Sequence, residues 1–328
     1  MRTNNRSLSF ADFVINPRTK VTRTEKFLQR VNALIDFSFT AKIHERIHTA
    51  PDGRTPYDAL RLFRIMLLQE WFGFSDAVAE EMIYDRKSFQ EFLGLVANDS
   101  IPDESTIGRF RKALVDKKLD TEFFEEVLRQ IEAKGLRIDH GKSVDAMIVE
   151  VPKGRKKKDG GNSRDAEASF TKKNNRSYHG YKGHNATDTM GDFILKTYTS
   201  TAKDHDSIHM KKVLDGDEKS VFADSAYQNK ADKQEFRKKG KFYGVIEKAK
   251  RNHPLSGSQK AKNHKISSVR CRTEHPFAEI RIRMGFKARY RGLRKNEWHW
   301  RMATAAYNLK RLVGKFFTAQ KQAVVWCS

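Results

Sequence analysis

The stretch Ser143–Val151, which reads SVDAMIVEV, predicts a β-strand that carries one aspartate, Asp145. Valine and isoleucine dominate this stretch, and β-branched residues favour strands. A carboxylate buried there without a partner would be costly, so Asp145 needs a hydrogen bond, an ion pair or a metal ion. Solvent at a strand end or a neighbouring arginine would also stabilise this carboxylate. For Asp145 considered alone, either of these is a simpler explanation than a metal ion.

Downstream of this strand, the sequence predicts a hairpin followed by alternating helices and strands. Tyr178–Thr187 and Phe193–Ser200 flank the turn residues 189–192, which is the pattern of a β-hairpin. The elements after it are a helix at His205–Leu214, a strand at Ser220–Asp224, a helix at Lys230–Lys239, a strand at Phe242–Ile246 and a helical tail from about Thr273, interrupted by a basic loop at Arg289–Lys295. This order predicts a mixed sheet flanked by helices. It fits an RNase H-like core and several other α/β folds.

Upstream, the pattern from Glu25 to about Lys134 is helical. Within 57–74, Gly73 would end one helix, Ser75 would cap the next, and Gly94 would end a third helix at roughly 87–93. The side chains of 57–74 that would share one apolar face are Leu60, Phe63, Leu67 and Phe74.

The run after Pro102 predicts an amphipathic helix that reaches about Val115. Its apolar side chains Ile107, Phe110 and Leu114 would point into a core, whereas Ser105, Arg109 and Lys112 would point outward. Short helices, a tight turn and a helix with a cationic outer face indicate a helix-turn-helix DNA reader. An ordinary small helical bundle explains this segment equally well.

The charge of the chain indicates a polyanionic partner. Lys and Arg number 64 against 41 Asp and Glu, which gives a formal net charge of +23. The excess is clustered, with 16 basic residues and three acids between Lys262 and Lys321, and eight basic residues and three acids within 153–173. Release of phosphate counterions makes nucleic acid the favoured partner of such a surface. A solvated basic surface without function is the simpler alternative.

Cysteine content and hydropathy bear on the compartment. The chain has two cysteines, Cys271 and Cys327, and neither has a neighbour that could complete a metal-binding pair. This excludes a disulfide framework and suits a reducing cytosol. No signal-peptide core and no run of membrane-spanning length are present, so we expect a soluble, cytoplasmic protein.

Two further acids stand out beside Asp145. Asp224 ends the strand-like run VFAD, and Glu274 lies in RCRTEHPF amid basic residues. Pro276 is best tolerated in a first helical turn, so Thr273 would be the N-cap and Glu274 would open a helix. Two strand acids and one helix acid are what a two-metal phosphodiester site needs, with Mg²⁺ ions about 3.5–4 Å apart. Spacing along the chain does not show that the three acids converge.

Around these acids the sequence resembles the DDE transposases of bacterial insertion sequences, in the branch usually called the insertion-sequence-five group. The resemblance covers roughly residues 55–317. The matching segments are Leu67–Tyr84, Phe92–Leu95, Pro102–Phe110, SVDAMIVEVP at 143–152, YHGYKGHNATD at 178–188, TAKDHDS at 201–207, DSAY at 224–227, RCRTEHPF at 270–277 and MGFKARYRGL at 284–293.

The resemblance implies a helical DNA-binding region, an RNase H-like core and a magnesium-dependent enzyme that cuts and rejoins DNA. Asp145, Asp224 and Glu274 would be both the catalytic residues and the ligands of two Mg²⁺ ions, which Mn²⁺ can replace. Double-stranded DNA would be the partner, and a homodimer would hold both element ends. The expected DNA contacts are Ser105, Thr106, Arg109, Lys182, His184, Tyr227, Arg270, Arg281, Arg289 and Arg291.

The sequence also departs from the family pattern. The tyrosine that often lies seven residues before the glutamate is Ser267 here, and the lysine seven residues after it is Arg281. Arg281 keeps the charge, although arginine and lysine differ in how they bind phosphate. Only 50 residues separate Asp224 from Glu274, which leaves no room for a large inserted domain.

These observations predict an α + α/β chain in which an N-terminal helical domain precedes an RNase H-like mixed sheet flanked by helices. The expected function is binding of terminal inverted repeats, cleavage of the ends and joining of the 3′-hydroxyls to target DNA. A nuclease on the same fold and a non-catalytic DNA-binding regulator remain alternatives. The predicted domains are a flexible N-terminus at 1–24, a helical domain at 25–135, a catalytic domain at 136–318 with a basic loop at 153–173, and a tail at 319–328.

Overall fold

The computed structural model describes residues 21–48, 56–96, 98–136, 141–154, 164–190 and 193–326, with side chains through 318. Residues 1–20 of the predicted flexible N-terminus, 155–163 of the basic loop, and Gly191 and Asp192 of the hairpin turn lie outside these ranges. In the described part of the chain, no helix is both long and apolar enough to cross a membrane.

The N-terminal region is helical, as predicted. Gly73 and Gly94 end two of its helices in the left-handed conformation, at φ values of +72° and +70°, which glycine adopts without a steric penalty. The Ser75 side chain accepts a hydrogen bond from the Val78 amide and caps the next helix. The helices are α1 (Arg23–Leu34), α2 (Thr40–Ile47), α3 (Ala59–Phe72), α4 (Asp76–Asp85), α5 (Lys87–Leu93), α6 (Glu104–Lys117) and α7 (Asp120–Ala133).

A mixed six-stranded sheet follows these helices. Its strands are β1 (Lys142–Glu150), β2 (Ser169–Lys173), β3 (Arg176–Asp188), β4 (Ile194–Thr201), β5 (Ser220–Ala223) and β6 (Phe242–Val245). Strand β3 pairs antiparallel with β1, β2 and β4, whereas β1, β5 and β6 run parallel. The order β4–β3–β1–β5–β6, with three antiparallel strands followed by two parallel ones, confirms the predicted RNase H-like core.

Helices connect and follow the parallel strands. They are α8 (Asp206–His209), α9 (Lys230–Lys238), α10 (Gly257–Arg270), α11 (Glu274–Ala278) and α12 (Leu293–Trp326). A 3-10 turn at Cys271–Thr273 joins α10 to α11, and a π-helical turn at Glu279–Arg283 extends α11. Residues 257–283 therefore follow an almost unbroken helical path beside the sheet.

The long C-terminal helix α12 lies between the sheet and the N-terminal helices. It packs against β4 on one side and against α3 and α7 on the other. Its aromatic side chains Trp298, Trp300 and Tyr307 are buried. One hydrophobic core runs from Leu28 to Val313 and joins the helical region to one face of the sheet. A second, smaller core, which includes Val144, Val221 and Phe236, lies on the other face.

Several sequence predictions differ from the structure in detail. Helix α3 is buried nearly all round rather than on one face, because α12 and other N-terminal helices surround it. Residues 169–173, expected within the basic loop, form β2 by pairing with β3. The helix expected at 205–214 is shortened to α8 and a 3-10 turn, and α10 was not predicted. Helix α12 begins at Leu293, inside the expected 289–295 loop, and runs to Trp326 through most of the expected tail.

Candidate active site

Two of the predicted acids lie on neighbouring strands, Asp145 within β1 and Asp224 directly after β5. Strands β1 and β5 run parallel, with Val144 opposite Ala223. The next residue on each chain is Asp145 and Asp224 respectively, so the two carboxylates start from backbone positions about 4.8 Å apart. Sequence spacing alone could not show this, because the two residues are far apart along the chain.

The electrostatics of Asp145 reflect this crowding. Burial raises the pKa of the Asp145 carboxyl above its ordinary value, and the neighbouring Asp224 adds to the rise. Arg270 and the Ala146 amide oppose it, with the Arg270 Nη2 3.3 Å from Asp145 Oδ2 and the Ala146 amide 2.8 Å from Asp145 Oδ1. The predicted residue Arg270 therefore contacts an acid of the site directly.

Glu274 faces the same cleft as Asp145. This catalytic cleft, of about 1150 Å³, lies between strand β1 and residues 274–288. Asp145, Glu274 and the predicted phosphate ligand Arg281 all line it. Glu274 opens α11, as predicted, but Thr273 does not cap that helix: its hydroxyl donates to the Arg270 carbonyl because α10 continues into α11.

The three carboxylates are not gathered into one tight cluster. In the ranges that the structure describes, the acidic or histidine group whose ligand atoms all lie within 4.8 Å of one another is Asp215, Asp217 and Glu218. Lys142 forms ion pairs with both Asp215 and Glu218. Lys196 also pairs with Asp215, so these two lysines engage two of the three carboxylates, and we interpret the cluster as structural rather than metal-binding.

The family described as the transposase DDE domain matches residues 139–309 of the chain, which is more than half of its length. This match covers all three acids. The chain belongs to the DDE transposases. A second family, described as a transposase domain, matches residues 16–113. The insertion-sequence-five group stays a prediction for this transposase.

A distant likeness to a solved transposase structure accompanies these matches. A cryo-EM structure of a piggyBac transposase synaptic complex with hairpin DNA aligns with 91% of this chain and 75% of that one. The identity is 10% and the TM-score is 0.48.

Two predicted DNA contacts of the transposase, His184 and Tyr227, are buried behind the acids. The His184 Nε2 lies 2.9 Å from the Ser200 hydroxyl, and its Nδ1 lies 3.5 Å from the Tyr227 hydroxyl. Burial lowers the pKa of His184 to about 4. Burial raises the pKa of Tyr227 well above its ordinary value, with Asp145 contributing. The two side chains lie beneath the site rather than on a DNA-facing surface.

Lys182 is likewise engaged inside the transposase. Its ammonium group donates to the Asp204 carbonyl and to Asp206 Oδ1, each at 2.8 Å. A direct phosphate contact would require breaking this ion pair. Sequence reasoning did not single out Asp206 as a site residue, although it lies in the TAKDHDS segment that carries part of the family resemblance.

The remaining predicted contacts lie on other surfaces. The Arg289 guanidinium donates to the Phe74 carbonyl, which ties the loop before α12 to the N-terminal region, whereas Arg291 is exposed. Arg109 donates to the hydroxyls of Ser105 and Thr106 at 3.0 and 3.1 Å, so these three form one polar group on the first turns of α6. Residues 94–103 separate α5 from α6, a longer connection than the tight turn expected of a helix-turn-helix.

Proposed function

We propose that this transposase binds the ends of an insertion sequence, cleaves the DNA there and joins the freed 3′-hydroxyls to target DNA. The observation that carries the proposal is the pairing of β1 with β5, which sets Asp145 beside Asp224. Asp145 and Glu274 line one cleft from β1 and α11, and Asp224 follows the strand beside β1.

The donor set fits hard divalent cations. Carboxylate oxygens are the ligands that Mg²⁺ prefers, and Mn²⁺ can replace it. Asp145 and Asp224 lie together with Arg270 as a nearby cation. Burial raises the pKa of Asp145, and a bound cation would lower it by stabilising the carboxylate. Asp145, Asp224 and Glu274 would hold two Mg²⁺ ions. When bound, these ions would supply activation of the attacking oxygen and stabilisation of the leaving oxygen.

Residues of the chain would orient the acids and the DNA. Arg270 keeps the Asp145 carboxylate in place through its ion pair. Basic side chains along the catalytic cleft would neutralise the phosphates of the bound strand. Those that line it are Lys153, Lys173, Arg281 and Lys287.

The net charge of +23 supports double-stranded DNA as the partner. Ser105, Thr106 and Arg109 are our candidates for reading the terminal repeats, because they form one exposed group on α6. We propose a homodimer in the complex with both element ends, since two ends must be joined to one target.

The test uses a DNA fragment that carries the open reading frame with its native flanking sequence. The full-length protein should cleave at the element ends in Mg²⁺ and join them to a target plasmid. Asp145→Asn should lower both products to background while retaining DNA binding, because the amide is a poorer metal ligand. Asp217→Asn is the matched control. It removes an exposed acid of the group Asp215, Asp217 and Glu218 and should leave cleavage unchanged.

Other outcomes would identify the alternatives. Cleavage without joining would indicate a nuclease. Specific DNA binding without cleavage by any variant would indicate a regulator. Cleavage by Asp145→Asn at the wild-type rate would contradict the assignment of the acids.

A further inference from the structure

The helical ridge formed by residues 270–283 separates two clefts. One stripe of its side chains, at positions 274, 277 and 281, faces the catalytic cleft. A second stripe, at positions 272, 275, 279 and 283, faces a further cleft of about 660 Å³. Ala278 and Ile282 border both clefts, so the ridge is a wall only one helix thick.

The second cleft is strongly basic. It lies between the ridge and residues 307–314 of α12, and four cationic side chains line it against one carboxylate. That carboxylate, Glu279, is already paired with Arg283 at 3.0 Å and with Lys310 at 2.6 Å. The described lining of the cleft therefore carries more cationic than acidic groups, which suits a polyanion. The cations are Arg272, Arg283, Lys310 and Arg311.

Gly314 lines the second cleft, where it contributes backbone but no side chain. It lies inside α12, where glycine costs about 1 kcal/mol relative to alanine. Among the residues that the structure describes, a Cβ added at this position would meet no atom within 4 Å, so their packing does not require glycine. The absent side chain leaves the helix backbone open to close approach by a ligand.

The dimensions of the ridge match those of DNA. An α-helix with its side chains is about 10–12 Å across, and the major groove of B-DNA is about 12 Å wide. Ile282, at the top of the ridge, is 76% exposed. A ridge inserted in the groove has one phosphate backbone on each side of it.

We propose that the second cleft binds the sugar-phosphate backbone of the complementary strand while the reacting strand occupies the catalytic cleft. This inference rests on the proposed function for the reacting strand. In this arrangement the two strands of duplex DNA bind in two different clefts, on opposite sides of the helical ridge. Single-stranded DNA would use only one of them.

The experiment places a charge on the floor of the second cleft. Gly314→Glu and Gly314→Gln add side chains of nearly equal size where there is open space, so their comparison isolates the charge. Binding is measured in EDTA with a labelled 30-base-pair duplex of arbitrary sequence and with one of its strands. We expect Gly314→Glu to bind the duplex about tenfold more weakly than Gly314→Gln, with a salt dependence shallower by about one unit. Affinity for the single strand should differ by less than about twofold between the two variants.

A second pair controls for charge added elsewhere. At Gly257, the start of α10, an added Cβ likewise meets no atom within 4 Å in the described part of the chain, so Gly257→Glu and Gly257→Gln should bind the duplex equally. Equal duplex affinity of the two Gly314 variants, or an equal loss with the single strand, would overturn the proposal. Because EDTA prevents cleavage, a failure of the proposed chemistry would leave this comparison intact.

Discussion

Lys142 is a buried cation that forms ion pairs with the carboxylates of Asp215 and Glu218. Its side chain is 1% exposed and its ammonium donates to Glu218 at 2.8 Å and to Asp215. Glu218 also accepts the amides of Asp215 and Gly216, which fixes the turn before β5. The ion pair therefore fixes the turn that precedes β5, the strand that leads to Asp224.

Lys142→Met should lower the free energy of unfolding by about 3–5 kcal/mol at pH 7, because it leaves Glu218 buried without its cation. Lys196→Met is the control, since Lys196 pairs with Asp215 at 2.7 Å but is 38% exposed. Its effect should stay below about 1 kcal/mol. Urea unfolding followed by circular dichroism would measure both. Similar losses in the two variants would contradict the special role of Lys142.

The cost of Lys142→Met should also depend on pH. Burial by itself raises the pKa of Glu218, but Lys142 brings it below its ordinary value in the folded protein. A carboxyl with a lowered folded pKa stabilises the fold above its unfolded pKa, about 4.3, and loses this contribution as the pH falls. The difference in unfolding free energy between wild type and Lys142→Met should therefore shrink as the pH falls from about 4.3 to about 3. A constant difference across this range would speak against the ion pair as its source.

Among the elements, β3 and α12 meet at a glycine. A Cβ at Gly183 would lie 2.3 Å from Trp300 Cε2, so only glycine lets this indole lie on the sheet. The indole N–H of Trp300 donates to Asn185 Oδ1 at 3.0 Å, two residues further along β3. This contact fixes α12 against the sheet that carries the acids.

Gly183→Ala should lower the free energy of unfolding by about 1–3 kcal/mol, because the buried Trp300 must shift. Gly314→Ala is the control within α12, where the added methyl meets no atom within 4 Å. It should raise stability by up to about 1 kcal/mol through helix propensity. Thermal unfolding of both variants would measure the difference, and a neutral Gly183→Ala would show that the indole has room to move.

At the scale of the whole molecule, polar contacts join the N-terminal helices to α12 across the shared core. Asp120, at the start of α7, forms ion pairs with Arg294 and Arg301 and is fully buried. The Trp71 indole N–H donates to the Ala306 carbonyl at 2.9 Å. These contacts bind the two predicted domains into one unit.

The full chain should therefore unfold in one transition, with tryptophan fluorescence and circular dichroism giving the same midpoint. A fragment that contains residues 136–328 should lack fixed tertiary structure, because it exposes the face of α12 that packs on α3 and α7. Its near-ultraviolet circular dichroism would be weak compared with that of the full chain. A fragment that folds cooperatively would show that the sheet and α12 form an independent domain.

The sequence by itself determined the features that depend on neighbouring residues. The ends of α3 and α5 at glycines, the cap at Ser75 and the strand character around Asp145 follow from local conformational preferences, and the structure confirms each. The order of strands and helices predicted a mixed sheet flanked by helices, and the family resemblance selected the RNase H-like core among the α/β folds that fit this order.

Only the tertiary structure decided which distant residues meet. The register of β1 and β5 places Asp145 beside Asp224, and burial of His184 and Tyr227 removes them from the surface where DNA contacts were predicted. The hydroxyl of Thr273 bonds within a continuing helix because α10, which the sequence did not reveal, precedes it. Strand register and burial on all sides of a helix arise from contacts between segments that are far apart in the chain. Local conformational preferences do not specify which of these segments meet.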